Sequence, residues 1–346
     1  PTKDLQMSST VTVGSENMKK ISADISGSIS DKFRARVIVS KENSDSYLDR
    51  YSSKSHIVSA LIDADINDNN KITFGITSAK EDNKGTQVGG FRSADLQAKN
   101  YDISVNPAPD WAYMDTKSRN IFLELDSILS NKWKLKTTLS RNTNEEDIEG
   151  GILNATSLYL ARKYNDDTQA DLFDITLNGS YSLFDKEHEV VFSANYIKQD
   201  YYQHYVQAAL SDAVDLSTWD GSSSSVSFAG ATEYIKDWTL TEKSFSAANN
   251  FHITDNLNFL VGSKISSYLK EGKIRANDVL EKNNSVLTPY VSLVYKINDN
   301  ISAYTSYTTT FNPQEKIDAQ ENLLDPEEGI NYEAGVKSSY FEEALN

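Results

Sequence analysis

The chain has 346 residues, a formal net charge of −16, 19 Tyr, 13 Phe and no Cys. The missing thiols exclude disulfides, thiolate metal sites and cysteine nucleophiles, and the acidity argues against a nucleic-acid partner, which needs a Lys/Arg surface. No run of ~18 apolar residues is present, so no helix is expected to cross a membrane; a β-barrel, which shows lipid only every second residue, is not excluded.

Taken in chain order, the elements read as strands of period two. Phe33, Ala35, Val37 and Val39 alternate with Arg34, Arg36 and Ser40, and Val58, Ala60, Ile62 and Ala64 with Ser59, Asp63 and Asp65. Ile121, Leu123 and Leu125 alternate with Glu124 and Asp126; Trp133, Leu135 and Leu139 with Lys134, Lys136 and Ser140. The clearest run is Phe173–Leu183, "FDITLNGSYSL", with Phe173, Ile175, Leu177, Gly179, Tyr181 and Leu183 on one face and Asp174, Thr176, Asn178, Ser180 and Ser182 on the other. Val190, Phe192, Ala194 and Tyr196 then oppose Glu189, Ser193 and Asn195.

Connections alternate in length. Short polar turns are expected at 30–32, 67–70, 130–132, 184–187, 254–256, 298–300 and 341–344, where Asn and Asp tolerate left-handed backbone. Long polar segments are expected at roughly 83–114, 142–170, 203–235, 271–285 and 312–328. Tight turns on one side and long loops on the other are the asymmetry of an outer-membrane barrel. The count comes to about 14 antiparallel strands. A soluble sandwich fits less well, because its strands run ~5–6 residues. Trp133, Tyr181, Tyr196, Tyr295 and Tyr307, near strand ends, suit an aromatic girdle. The start at Pro1 and the end on "YFEEALN", within a pattern, read as a fragment of a longer protein. The expected fold class is therefore all-β, a transmembrane antiparallel β-barrel, with residues 1–346 a partial barrel domain.

The C-terminal stretch "LTPYVSLVYKINDNISAYTSYTTTFNPQ", followed by "LLDPEEGINYEAGVKSSYFEEALN", resembles the barrel of TonB-dependent ferric siderophore receptors, in the pyoverdine, coprogen and hydroxamate group. "GSENMKKISADISGSIS", "DWAY" at Asp110–Tyr113, "NGSYSLFDKEHEVVFSANY" and "LNFLVGSKISSY" are similar to the same family more weakly. The resemblance implies a complete barrel of about 22 strands with an N-terminal plug inside. Pro1–Thr2 resembles the link from plug to barrel, so plug, TonB box and last strands would lie outside this chain. It implies an outer-membrane location and import of a ferric siderophore, with iron carried in the ligand and no cofactor. The implied partners are the TonB–ExbB–ExbD complex, outer-membrane lipid and lipopolysaccharide.

Residues then sort into two groups. Arg34, Arg36, Asp63, Asp65, Glu124, Asp126, Lys134, Lys136 and Asp174 occupy the polar face; the resemblance makes them plug-facing, while a water-filled lumen explains them equally. Ligand contact is expected from Phe91, Trp111, Tyr113, Tyr201, Tyr202, Tyr205, Trp219 and Tyr234, because small-molecule sites are aromatic with a few polar groups. Trp111, on its family position, and Tyr201, in the dense "YYQHY" group, lead that set. An enzyme is not expected: His56, His188, His204 and His252 are scattered, and His188 beside a tight turn reads as structural or exposed. "DADINDNN", Asp63–Asn70, fails as a calcium loop, with Asp68 in place of Gly and Phe74 in place of Glu, and reads as strand end plus turn. A passive porin and a non-transporting surface-recognition barrel are the alternative functions.

Overall fold

The computed structural model describes residues 1–87, 102–153, 157–216, 218–224, 226–313 and 324–340. Among these, fourteen strands form a single antiparallel sheet in sequence order. They are β1 Gln6–Val13, β2 Lys19–Ser28, β3 Phe33–Asp45, β4 Ser52–Asn67, β5 Asn70–Lys84, β6 Tyr113–Ser130 and β7 Trp133–Leu153. The series continues with β8 Ser157–Leu183, β9 Lys186–Ala213, β10 Thr232–His252, β11 Leu257–Ile274, β12 Asn277–Asn298, β13 Ile301–Asn312 and β14 Glu327–Ser338.

The two faces are inverted relative to a soluble sheet. Phe33, Val37, Val58, Ile62, Phe74, Leu123, Leu139, Phe245 and Leu293 are exposed, whereas Ser26, Arg34, Ser59, Asp63 and Thr73 are buried. Among the described residues no second layer covers these polar side chains; they are crowded because the sheet curls toward them. The polar face is therefore concave and the apolar face convex, as a barrel wall in lipid requires. Register confirms the sorting: Leu177 pairs with Leu135 and Phe192, all convex, while Asn178 pairs with Lys134 and Val191 on the concave side.

The tight turns fall where the Asn/Asp signals lie, except that 341–344 is outside the described residues. In "DADINDNN", the Asn67 carboxamide oxygen accepts from the Asn69 amide at 3.0 Å, closing the turn as expected. The long connections are a partial correction. Residues 142–153, 157–170 and 203–213 are strand, not loop, so β8 and β9 reach 27 and 28 residues. A bilayer needs only ~9–11 residues per strand. Beyond it both faces are wet, alternation loses its cause, and the ladder continues with "RNTNEEDIEG"-type sequence. Likewise 271–285 is not a loop: β11 and β12 are joined at Arg275–Ala276, with Arg275 at φ 59°.

Aromatic side chains lie over directly paired glycines: Trp133 over Gly179, Phe122 over Gly75 and Tyr290 over Gly262. At Gly179 an added Cβ would stand 2.5 Å from Trp133 Cδ2 and 2.7 Å from the Lys132 carbonyl oxygen. Gly179→Ala is expected to lower barrel stability by about 1–3 kcal/mol, the usual cost of overpacking, read as a lower urea midpoint in detergent.

Of the two readings for His188, structural and exposed, the structure has the first. It is buried, and its Nδ1 accepts from the His252 amide at 3.1 Å, which leaves the proton on Nε2 to donate to the Leu183 carbonyl at 3.1 Å. That tautomer ties the β8–β9 turn to β10.

Candidate functional site

The concave face carries charges along its lower part and aromatic rings toward the loop end. All nine charges expected on the polar face are there, and most are paired along the wall. Arg34 Nη1 and Nη2 grip the Asp65 carboxylate at 2.5 and 2.7 Å, with Arg34 Nε 3.7 Å from Asp63. Arg36 makes a similar fork to Asp24 at 2.9 and 2.6 Å. Lys136 meets Glu124 at 2.8 Å and Lys71 meets Asp126 at 3.1 Å. Asp174 accepts from Thr176 and Asn195. Lys134 lines a trough of about 700 Å³ with Asn178, Glu189 and Tyr290. Pro1 and Thr2 lie on this same side: the Pro1 nitrogen is 3.8 Å from Asp63 and the Thr2 amide donates to Ser26 Oγ at 2.8 Å.

Higher on the wall, register brings together residues far apart in sequence. Tyr201 on β9 is directly opposite Trp238 on β10 and Thr168 on β8. The Tyr201 and Trp238 rings stack at 4.9 Å. Lys270 on β11, 1% exposed, places its ammonium 3.9 Å from the Trp238 ring centroid. Trp238 can lie so close to β11 because its partner is Gly272, at φ 146°, where a Cβ would clash with the Trp238 backbone at 2.5 Å. Glu281 on β12 pairs with Lys270 and is also buried.

One step further out, Tyr205 is stacked between Tyr164 at 5.2 Å and Tyr234 at 4.5 Å. Arg275 lies 5.0 Å over Tyr234 and donates to the Tyr205 hydroxyl at 3.3 Å. Arg162 donates to the Tyr164 hydroxyl at 3.2 Å. Between the two stacks, Asp166 Oδ2 accepts from Gln203 at 2.7 Å and from Tyr201 at 3.3 Å. Its Oδ1 is buried and unbonded among the described residues.

Burial holds the Asp166 carboxyl above the usual carboxylate range, against the opposing effect of those two hydrogen bonds. A raised carboxyl binds its proton more readily in the folded state, so its contribution to stability falls as pH rises through that range. Asp166→Asn is accordingly expected to flatten the pH dependence of rim stability as pH rises through and above the ordinary carboxylate range, measured as protection from protease in the intact receptor. A variant that keeps the parent profile assigns that dependence to other groups.

The sequence-derived ligand set divides three ways. Tyr201, Tyr205 and Tyr234 face the concave side in the two stacks. Tyr202 is exposed on the opposite face, and Tyr113, also on that face, donates to Asp147 at 3.0 Å. Trp111 and Trp219 are engaged in packing loops together: Trp111 Nε1 donates to Ser223 Oγ and Trp219 Nε1 to the Ser222 carbonyl, each at 2.7 Å. Phe91 lies outside the described residues. Sequence reading missed Tyr164, Asp166, Gln203, Trp238, Lys270 and Arg275. Tyr164 and Asp166 sit in a segment read as loop; extending the β8 alternation through it would have put both on the face of Asp174.

The geometry supplies flat aromatic faces, cations and hydrogen-bond donors and acceptors around an open upper wall. It suits a compact organic complex held by its skin. A family model described as TonB dependent receptor-like, beta-barrel, matches residues 58–346. The chain is 27% identical over 363 residues to the ferripyoverdine receptor of Pseudomonas aeruginosa, covering 100% of this chain and 44% of that protein. It is 26% identical over 374 residues to the ferric-pyoverdine BN7/BN8 receptor of Pseudomonas putida, covering 100% and 46%. The crystal structure of the P. aeruginosa receptor bound to ferripyoverdine superposes with a TM-score of 0.87 at 24% identity, over 99% of this chain and 47% of that one. The ferric preacinetobactin receptor of Acinetobacter baumannii gives 0.82 at 16%, over 98% and 52%. The chain thus spans about half the length of these relatives.

Proposed function

Because this chain belongs to the TonB-dependent receptor β-barrel family, we propose that it forms part of the wall and rim of an outer-membrane receptor that imports a ferric siderophore. The family is one of transport receptors, not enzymes, and iron is cargo within the ligand. Residues 1–346 make a partial barrel domain in this reading, completed by a plug and further strands elsewhere in the protein. The ligand rests on the concave upper wall, against the Tyr201–Trp238 and Tyr164–Tyr205–Tyr234 stacks, with Arg275 and Asp166 meeting its polar groups.

The TonB–ExbB–ExbD complex then draws on the proton-motive force to displace the plug. The pre-paired charges of the lower wall support release. Arg34, Arg36, Lys136 and Glu124 already have partners in the wall, so a plug sliding past exchanges wet hydrogen bonds rather than breaking buried ion pairs.

The single observation carrying the assignment is the pair of aromatic stacks on the concave face. The test is titration of the complete receptor in detergent with iron-loaded and iron-free hydroxamate, pyoverdine-type and catecholate siderophores, followed by Trp/Tyr fluorescence. Saturable quenching by one ferric class is expected. Absence of binding across the panel, together with steady ion conductance in planar bilayers, would replace this reading by a passive porin.

A further inference from the structure

The buried apolar cluster of the described residues sits at the loop end of the sheet, where strand tips and connections meet. Leu153, Leu158, Val214 and Leu216 are buried together, with Val105, Trp111, Leu210 and Trp219 packed on them. These residues come from the β5–β6 connection, the outer ends of β7, β8 and β9, and the β9–β10 connection.

Arg50, in the β3–β4 connection, ties the ensemble. It is held at φ 63°. Its Nη2 donates to the carbonyls of Asn106 at 2.5 Å and Ala108 at 3.0 Å, and its Nη1 to the carbonyl of Trp219 at 3.4 Å. The guanidinium also lies 5.6 Å over the Trp219 ring. Gly221, at φ 91°, leaves room for it: a Cβ there would sit 2.5 Å from Arg50 Nε.

Asn106, 3% exposed, closes the same joint from the other side. Its Nδ2 donates to the carbonyls of Asp49 at 2.7 Å and Gly85 at 2.9 Å, and its Oδ1 accepts from the Ala108 amide at 2.9 Å. Backbone bonds complete the bracket, Asp49 N–H to the Ser104 carbonyl at 2.8 Å and Asp110 N–H to the Gly221 carbonyl at 2.9 Å.

Parting these loops would uncover the apolar cluster and strand several buried carbonyls and the Asn106 carboxamide, so the bracket opens as a whole or not at all. A planar fork with five donors serves three carbonyls at once; a lysine ammonium on a flexible stem does not reproduce that geometry. We propose that Arg50 is a positioning residue that locks this sector of the rim into one body before ligand arrives, so that uptake proceeds with these loops already closed. Only the uptake arm of its test rests on the transport reading given above.

The first arm needs no ligand. In the complete receptor, hydrogen exchange of peptides spanning 46–51 and 105–111 is expected to be slow. In Arg50→Ala and in Arg50→Lys both are expected to speed up together, at least about tenfold, while the melting temperature of the barrel stays put. Unchanged exchange, or loss of protection in one segment alone, overturns the proposal. The second arm uses the absence of cysteine from residues 1–346. Asp49→Cys with Ser104→Cys introduces one pair, across a direct backbone contact that a disulfide can span. The oxidised receptor is expected to bind and import the ferric siderophore within about twofold of the reduced one. Import lost on oxidation and regained on reduction would mean that these loops must part, and the lock would be wrong. A receptor that binds no siderophore fails the transport reading and leaves the exchange arm to decide the lock.

Discussion

Leu177→Arg is expected to keep the barrel out of the membrane, whereas Asn178→Arg is expected to assemble. The two residues are neighbours on β8 and differ only in which way they point. Leu177 is flanked across the sheet by Leu135 and Phe192 on the convex face. An arginine at mid-depth on that face costs about 2–4 kcal/mol, a large share of a marginal stability. Asn178 lies between Lys134 and Val191 and lines the trough on the concave face. An added guanidinium there meets water and the nearby Glu189. The measurement is the heat-modifiable band of folded barrel on unboiled gels of outer-membrane fractions. Equal folding of both variants would refute the face assignment from which every lumen and lipid statement follows.

Trp238→Ala is expected to assemble normally and to weaken ferric-siderophore binding about 100-fold, since stacking and cation–π contacts contribute roughly 1–2 kcal/mol each and two are lost together. Trp238 is the middle layer between the Tyr201 ring and the Lys270 ammonium. Without it, Tyr201 loses the surface that sets its angle, and a buried cation loses its π face. The change lies beyond the bilayer, so the wall below does not depend on it. Trp238→Phe retains a face for both neighbours and is expected to recover most of the affinity. Titration by ligand-induced quenching of the remaining tryptophans reads both variants. Full affinity in Trp238→Ala would move the ligand away from this stack.

How much was legible in the sequence follows from where lipid acts. Between Phe33 and Val39, or Phe173 and Leu183, the bilayer demands an apolar residue at every second position, and the period is plain. Past the bilayer edge nothing enforces it, and Asn142–Gly150 reads as loop although it is paired throughout with β6 or β8. The site suffered from the same loss. Tyr201 and Tyr205 were found because aromatics cluster in "YYQHY", yet their partners Trp238 and Tyr164 are identified only by cross-strand register. Trp111 stands out by its family position, but its indole is spent on Ser223, a contact 112 residues away that no local pattern encodes.

The length of the β8–β9 hairpin sets where the molecule first meets its surroundings. Tyr205 stands roughly 9 residues beyond the span that crosses the bilayer, which at ~3.3 Å per residue is up to ~30 Å of strand. In the proposed receptor the stacked tyrosines therefore stand clear of the membrane surface. In that reading the hairpin is an antenna, meeting a solute while it still diffuses outside, and an antibody raised against whole cells is expected to recognise it.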